Sequence, residues 1–342
     1  MKLGDHAVFE QFIQSNTLTD QEFTFTSDYY RLHTFDFTKY GKKFAIINHN
    51  ISNNEIWKNP EYLHDVHNRI ETLHRHGFFF IIGHPWESEQ NVSNWYNYKN
   101  LCKGKKFVSW SGGTSWFWYL MYKKHENKKY KFNHINKKFD FLYLNKQSRQ
   151  HRKKLFDLMQ KQNLLENSLF SFLDKPYVLR LNSNYELPWT TIDIHKKDRY
   201  YYKYDQDIYE PQFNDSAFNL VSETNDNNHD VFITEKLWKP IIAQQIFVVH
   251  GNFGYLKKLR EMGFRTFDSV FDESYDQETD PDKRIEKIVS LCRHLCTVDK
   301  AKIYRETESI RQHNLNRFYD TTALSSAVNE TVLGFLKFAD RS

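Results

Sequence analysis

The chain has 342 residues, 48 of them Lys or Arg and 43 Asp or Glu, for a formal net charge of +5. That length allows two domains, each with its own core, and Gly and Pro are scarce at 11 and 7, which excludes collagen-like, linker-rich and disordered chains. Positive charge is largely balanced locally, which suits an anionic ligand as well as a nucleic acid.

Residues 1 to 40 are aromatic and polar, with a strand-like piece over Glu22–Thr26. A regular alternation begins after them. Lys43–Asn48 reads as a buried strand, Glu61–His76 carries apolar residues at helical spacing, and Phe78–Gly83 and Lys106–Trp110 read as strands. Strands alternating with helices point to a parallel α/β sheet. Ser111-Gly-Gly113 ends the third strand, and the aromatic segment Trp116–Tyr122 follows. Lys123–Lys138 is polar and basic with almost no apolar periodicity, so it reads as the connection between domains.

A second α/β unit starts just after it. Phe139–Leu144 is a strand, and Arg149–Gln162 a helix with Leu155, Phe156, Leu158 and Met159 on one side. Leu164–Leu173 and Tyr177–Leu181 continue the unit, and 182–214 is a long polar excursion without an assignment. Phe218–Ser222 is a short apolar strand that ends before the turn-prone cluster Asn225–Asp230. Thr234 is a good N-cap, Glu235 puts a carboxylate where the helix dipole favours one, and Lys236 adds an ammonium in the first turn. Such a helix start can receive a phosphate. Ile246–Val249 is the wholly apolar run of a strand buried on both faces. Helices over Phe253–Met262, Asp282–Cys296, Ala301–Gln312 and Leu324–Lys337 and a strand over Arg265–Phe267 close the chain.

Cys102, Cys292 and Cys296 cannot build a disulfide framework, and an odd count fits a reducing compartment. Cys292 and Cys296 lack a second ligand pair for a metal. The first residues have no apolar core of a signal peptide, and no run of about 18 apolar residues occurs. The expectation is a cytoplasmic protein with no membrane span.

The motif Val221-Ser-Glu-Thr224, followed after a short polar spacer by Phe232-Ile-Thr-Glu-Lys-Leu-Trp238, and the upstream Phe141–Phe156 segment resemble the donor-binding domain of the α1,3-fucosyltransferase family, with its bacterial, phage and large algal virus relatives. The resemblance covers residues 139–275, less than half of the chain. It implies an α/β fold of GT-B type, with two Rossmann-like domains facing a central cleft: an acceptor-side domain over 1–135 and a nucleotide-sugar domain over 136–342, the last helix free to pack back on the first domain. It implies an inverting, metal-independent transfer of fucose or a related sugar to a glycan acceptor, with no cofactor and no nucleic-acid partner. Arg152 and Lys236 would hold the diphosphate, with Arg149 the rival to Arg152. Glu223 and Glu235 would hold sugar or ribose hydroxyls, beside Thr224, Phe232 and Thr234. Thr224 stands where the family has Asn and Phe232 where it has Tyr, so GDP-fucose is favoured but UDP-linked and other GDP-linked sugars stay open.

Inverting transfer needs a carboxylate that deprotonates the acceptor hydroxyl. Glu87, just past the strand Phe78–Ile82, is the first choice, with Glu89 and Asp65 as alternatives. His84, Trp86, Trp110 and Trp116 would meet the acceptor. Two other function classes compete. A metal-dependent GT-A transferase would use Asp205-Gln-Asp207 or Asp280-Pro-Asp282, and a nucleic-acid-binding protein would use the basic zone Lys123–Arg152.

Overall fold

The computed structural model describes residues 113–134, 136–145, 149–171, 206–224, 226 and 231–327, five earlier strands by their backbone, and shorter pieces within 64–75 and 103–105. By its internal contacts the chain divides into two units, one of residues 1–116 with 326–342 and one of Phe117–Ser325.

The first unit holds the strands β1 (Phe23–Thr26), β2 (Arg31–Phe37), β3 (Lys42–Asn48), β4 (Phe78–His84) and β5 (Phe107–Ser111), hydrogen-bonded in that order. β1, β2 and β3 are antiparallel neighbours, whereas β3–β4 and β4–β5 are parallel. The parallel part coincides with the alternating stretch of the sequence. The antiparallel part is the aromatic, polar segment whose chemistry gave no topology. Of the helix expected over Glu61–His76, the described positions His64, His67, Asn68, Glu71, Thr72, His74 and Arg75 are helical.

The second unit is built on a four-stranded parallel sheet, β6 (Phe139–Leu144), β7 (Ser168–Ser171), β8 (Ser216–Ser222) and β9 (Ile246–His250), in the order β7-β6-β8-β9. Every residue of β8 and β9 is buried, as in parallel sheets covered on both faces. Its helices are α1 (Gly113–His125), α2 (Gln150–Lys161), α3 (Glu210–Asp215), α4 (Glu235–Ile242), α5 (Tyr255–Glu261), α6 (Pro281–Thr297), α7 (Lys300–Glu306) and α8 (Glu308–Phe318). α6 packs on α2 and β9, while α4 packs on α8 and β9. Burying these apolar faces is the main stabilising term, at roughly 25 cal/mol per Å².

An aromatic cluster locks α4 in place. Trp118 of α1 stacks on Trp238 of α4 at 5.7 Å, and Phe264 and Phe318 close around Trp238 at 5.3 and 5.9 Å. Trp118 Nε1 also donates to the Phe318 carbonyl at 3.0 Å, so α1, α4 and the end of α8 are pinned together. Gly251, after β9, is needed for its small size: a Cβ there would stand 2.8 Å from Cδ2 of Tyr255.

Three expected elements differ. Arg265–Phe267 is not a strand, because its backbone groups bond to side chains instead of to a neighbouring strand: Asn314 accepts from Arg265 N at 2.7 Å and donates to its carbonyl at 2.9 Å, and Glu273 accepts from Phe267 N at 2.9 Å. The helix expected over Ala301–Gln312 is two helices, broken at Thr307, whose hydroxyl donates back to the Ile303 carbonyl at 2.7 Å. The Lys123–Lys138 stretch is folded into the second unit. Its Lys131 and Asn133 amides donate to Glu210 and Asn214, and the His125 ring is held between the Tyr130 hydroxyl at 2.6 Å and the Gln206 carbonyl at 2.9 Å.

Glu273 is a strongly perturbed buried carboxyl of this scaffold. Burial pushes it up to about 7, while the Thr266 hydroxyl and the Phe267 amide work against the rise. A folded value above the unfolded one means that the stabilisation is complete below about pH 4.5 and is lost as pH rises through 7. Glu273→Gln is therefore expected to match wild type near pH 4 and to exceed it near pH 8, by on the order of 3 kcal/mol, in urea titrations at the two pH values.

Candidate functional site

The order β7-β6-β8-β9 makes the chain leave β6 for one side of the sheet and return through β8 on the other. The carboxyl ends of β6 and β8 are therefore the topological switch point, where open α/β sheets bind ligands. Two stretches meet there: the start of α2, and the segment from the end of β8 to the start of α4.

Direct contacts tie them together. Arg149, the residue before α2, donates through NH1 to the Thr224 carbonyl at 3.1 Å. Arg152, 3% exposed, donates through Nε and NH2 to the Glu223 carbonyl at 3.2 and 2.8 Å, and His151 Nε2 reaches the same oxygen at 3.0 Å. Burial lowers both guanidinium pKa values, and Arg149 adds to the effect at Arg152. Both stay charged, because arginine starts so high.

The Glu223 side chain is 98% buried and its oxygens are occupied. Oε1 accepts from the Thr234 amide at 3.1 Å and the Tyr255 hydroxyl at 2.7 Å, and Oε2 accepts from the Thr234 hydroxyl at 2.7 Å. Thr234 in turn caps α4, accepting from Lys236 N at 3.4 Å and from Lys236 Nζ at 2.9 Å. The Lys236 ammonium also lies 2.9 Å from Glu235 Oε1 and 3.7 Å from Glu223 Oε2. Burial alone would raise the Glu235 carboxyl, but Lys236 and Lys239 outweigh it and hold it below its ordinary value. A lysine in the first turn opposes the helix dipole. Here its charge is offset by the two carboxylates and is still partly open to solvent, at 23% of the side chain.

Seven of the eight donor-side residues singled out in the sequence are thus joined by direct contacts: Arg149, Arg152, Glu223, Thr224, Thr234, Glu235 and Lys236. Phe232 is not among them. It is 5% exposed and packs edge-on against Phe117 at 5.4 Å, as a core residue. On the acceptor side, Glu87, Glu89, Asp65 and Trp86 lie outside the described residues. His84 and Trp110 are placed by backbone alone at the carboxyl ends of β4 and β5, and Trp116 by backbone in α1.

Sequence reading missed five residues at this place. Tyr255 orients Glu223. His151 and His250 flank Asp226, with Nδ1 of His151 3.7 Å from Oδ1 and Nε2 of His250 3.7 Å from Oδ2. Arg284, 3% exposed, donates to the carbonyls of Asp226 at 2.6 Å, Gly251 at 2.8 Å and Glu278 at 2.8 Å, clipping three loops together. Asp226 read as part of a turn, and His250 as the end of an apolar strand; neither position carries a local signal.

Comparison with protein-family models, with curated proteins and with solved structures finds no match to this chain. Among the described residues no helix is long and apolar enough to cross a membrane.

Proposed function

We propose that this chain is an inverting, metal-independent glycosyltransferase that moves fucose or a related sugar from a nucleotide diphosphate sugar to a glycan acceptor, with its two units serving as the acceptor-side and donor-side domains of a GT-B-type enzyme. The observation that carries this reading is the joining of Arg149 and Arg152 to the Thr234-Glu-Lys236 helix start at the switch point of a parallel sheet. A departing nucleoside diphosphate develops negative charge, and fixed cations beside a helix N-terminus stabilise it where it forms.

The geometry favours a division of labour. Arg152 is buried and its Nε and NH2 are committed to the Glu223 carbonyl, so it holds the end of β8. Arg149 is only partly buried, and together with Lys236 it takes the diphosphate. Glu235 is the carboxylate for sugar hydroxyls, because the Glu223 side chain is 98% buried and both of its oxygens already accept hydrogen bonds, whereas that of Glu235 is 14% exposed. Glu87, or in its place Glu89 or Asp65, would supply the base from the first unit.

Several residues of the rival readings have structural partners, and Asp205 lies outside the described residues. Asp280 is the N-cap of α6, accepting from Asp282 N at 2.9 Å and Lys283 N at 3.1 Å, and Asp282 pairs with Lys154 at 2.7 Å. Asp207 pairs with Lys124 at 2.8 Å. Within the basic zone Lys123 pairs with Glu126, Lys124 and Lys128 with Asp207, and Lys138 with Asp215.

A thermal-shift panel of GDP, UDP, GDP-fucose and UDP-sugars tests the proposal. At about 100 times Kd a true donor contributes about 2.7 kcal/mol, which corresponds to a rise of about 5–10 °C. The rise should survive addition of a chelator. No shift with any of these compounds would overturn the reading.

A further inference from the structure

His151 stands between the two arginines in the first turn of α2, and its surroundings fix its tautomer. Its Nε2 is 3.0 Å from the Glu223 carbonyl oxygen, which can only accept, so Nε2 carries the hydrogen. In the neutral ring Nδ1 is then a bare acceptor, and it faces the Asp226 carboxylate at 3.7 Å. Burial, with His250 adding to it, lowers the His151 pKa to about 4, so the neutral ring prevails at neutral pH. Two acceptors therefore confront each other with no hydrogen between them.

The arrangement is half complete. His250 Nδ1 is 3.1 Å from the Ser222 hydroxyl, while its Nε2 points at the other Asp226 oxygen from 3.7 Å, is buried, and has no hydrogen-bond partner. The Asp226 carbonyl is fixed by Arg284 at 2.6 Å. Both His151 and Asp226 keep 11% of the side chain exposed, so the pair is reachable from outside. His151, His250 and Asp226 do not form a metal-binding set. A ligand with two hydroxyl donors on neighbouring atoms satisfies an acceptor pair of this kind, each hydroxyl reaching one acceptor at the ordinary O–H donor distance of about 2.8 Å.

We propose that His151 Nδ1 and the Asp226 carboxylate form a subsite for a vicinal diol of the bound nucleotide sugar. The proposal rests on the nucleotide-sugar reading of the neighbouring arginines and Lys236. It also gives the diol a place that Glu223, whose oxygens are already occupied, does not. The diol belongs either to the ribose or to the transferred sugar, and binding measurements separate the two.

Calorimetric titration of wild type, Asp226→Asn and His151→Gln with a nucleoside diphosphate, its 2′,3′-dideoxy analogue and the corresponding nucleotide sugar is the test. Asn at 226 can donate to Nδ1 and so cancels the acceptor pair, whereas Gln at 151 keeps a donor for the Glu223 carbonyl and removes Nδ1. If the ribose is held, wild type binds the dideoxy compound about tenfold or more weakly, and both variants reduce that gap to about twofold. If the transferred sugar is held, it is the gain of nucleotide sugar over nucleoside diphosphate that the variants remove. A wild type with neither preference, or variants that keep it in full, would overturn the subsite while leaving the nucleotide reading intact. Failure of every nucleotide to bind would overturn both. If a variant does not fold, the wild-type arm can still overturn the subsite, and the other variant is the one that places it at His151 and Asp226.

Discussion

Lys236→Ala is expected to lose the nucleotide-induced rise in melting temperature while melting, without ligand, close to wild type. The ammonium is held by Thr234 Oγ1 and Glu235 Oε1 at 2.9 Å each, with a side chain 23% exposed. A partly exposed pair of this kind contributes about 0–1 kcal/mol to stability. Removing the lysine also relieves its unfavourable position at the positive end of the α4 dipole. The cost therefore appears in binding, where a charge-assisted contact to a phosphate is worth about 1.5–3 kcal/mol. That is a weakening of about ten- to a hundredfold in Kd. Calorimetry with the nucleotide that gives the largest thermal shift reads it directly, and wild-type affinity in this variant would refute the role given to Lys236.

Glu223→Ala should show the opposite pattern, a large loss of stability. The carboxylate receives the Thr234 amide, the Thr234 hydroxyl and the Tyr255 hydroxyl, all in a buried setting. Truncation leaves three donors without a partner at about 1–3 kcal/mol each before relaxation. A loss of about 3–5 kcal/mol is expected in urea unfolding. Tyr255→Phe removes one donor along with its need for a partner, so its loss should be smaller, near 1 kcal/mol. If Glu223→Ala instead kept its stability and lost only nucleotide affinity, Glu223 would be a ligand group and the division of labour among the acids would be wrong.

The two predictions separate residues that looked equivalent in sequence. Glu223 and Glu235 are both carboxylates at the ends of a strand–loop–helix unit, and Arg149 and Arg152 both open α2. Their difference is one of partners. Glu223 and Arg152 are buried, whereas Glu235 and Arg149 keep part of their side chains in solvent. No periodicity encodes that, because the partners of Glu223 are 11 and 32 residues away and those of Arg152 are 71 away.

The elements themselves were more legible. The largely apolar runs at Phe139–Leu144, Phe218–Ser222 and Ile246–Val249 all lie in strands of the parallel sheet, since a strand buried on both faces reads as a near-continuous hydrophobic run. Thr234 was readable as a helix cap because capping depends on residues next to it in the chain. Arg265–Phe267 misled for the complementary reason: its composition suits a strand, but its backbone donors are taken by Asn314 and Glu273, which only the folded chain brings near. Phe232 is a motif position whose ring packs edge-on against Phe117, a contact that the motif alone does not show.

The sequence by itself determined an α/β chain, the β8–loop–α4 unit and the identity of its charged residues, because strand runs, caps and charge are properties of neighbours along the backbone. Only the tertiary structure decided the order β7-β6-β8-β9, and with it the meeting of α2 and α4 at one switch point. It alone also decided which acids are saturated and which remain open, and it set His151 against Asp226. These follow from long-range packing, in which burial removes water from a polar group and leaves its state to whatever partner the fold supplies.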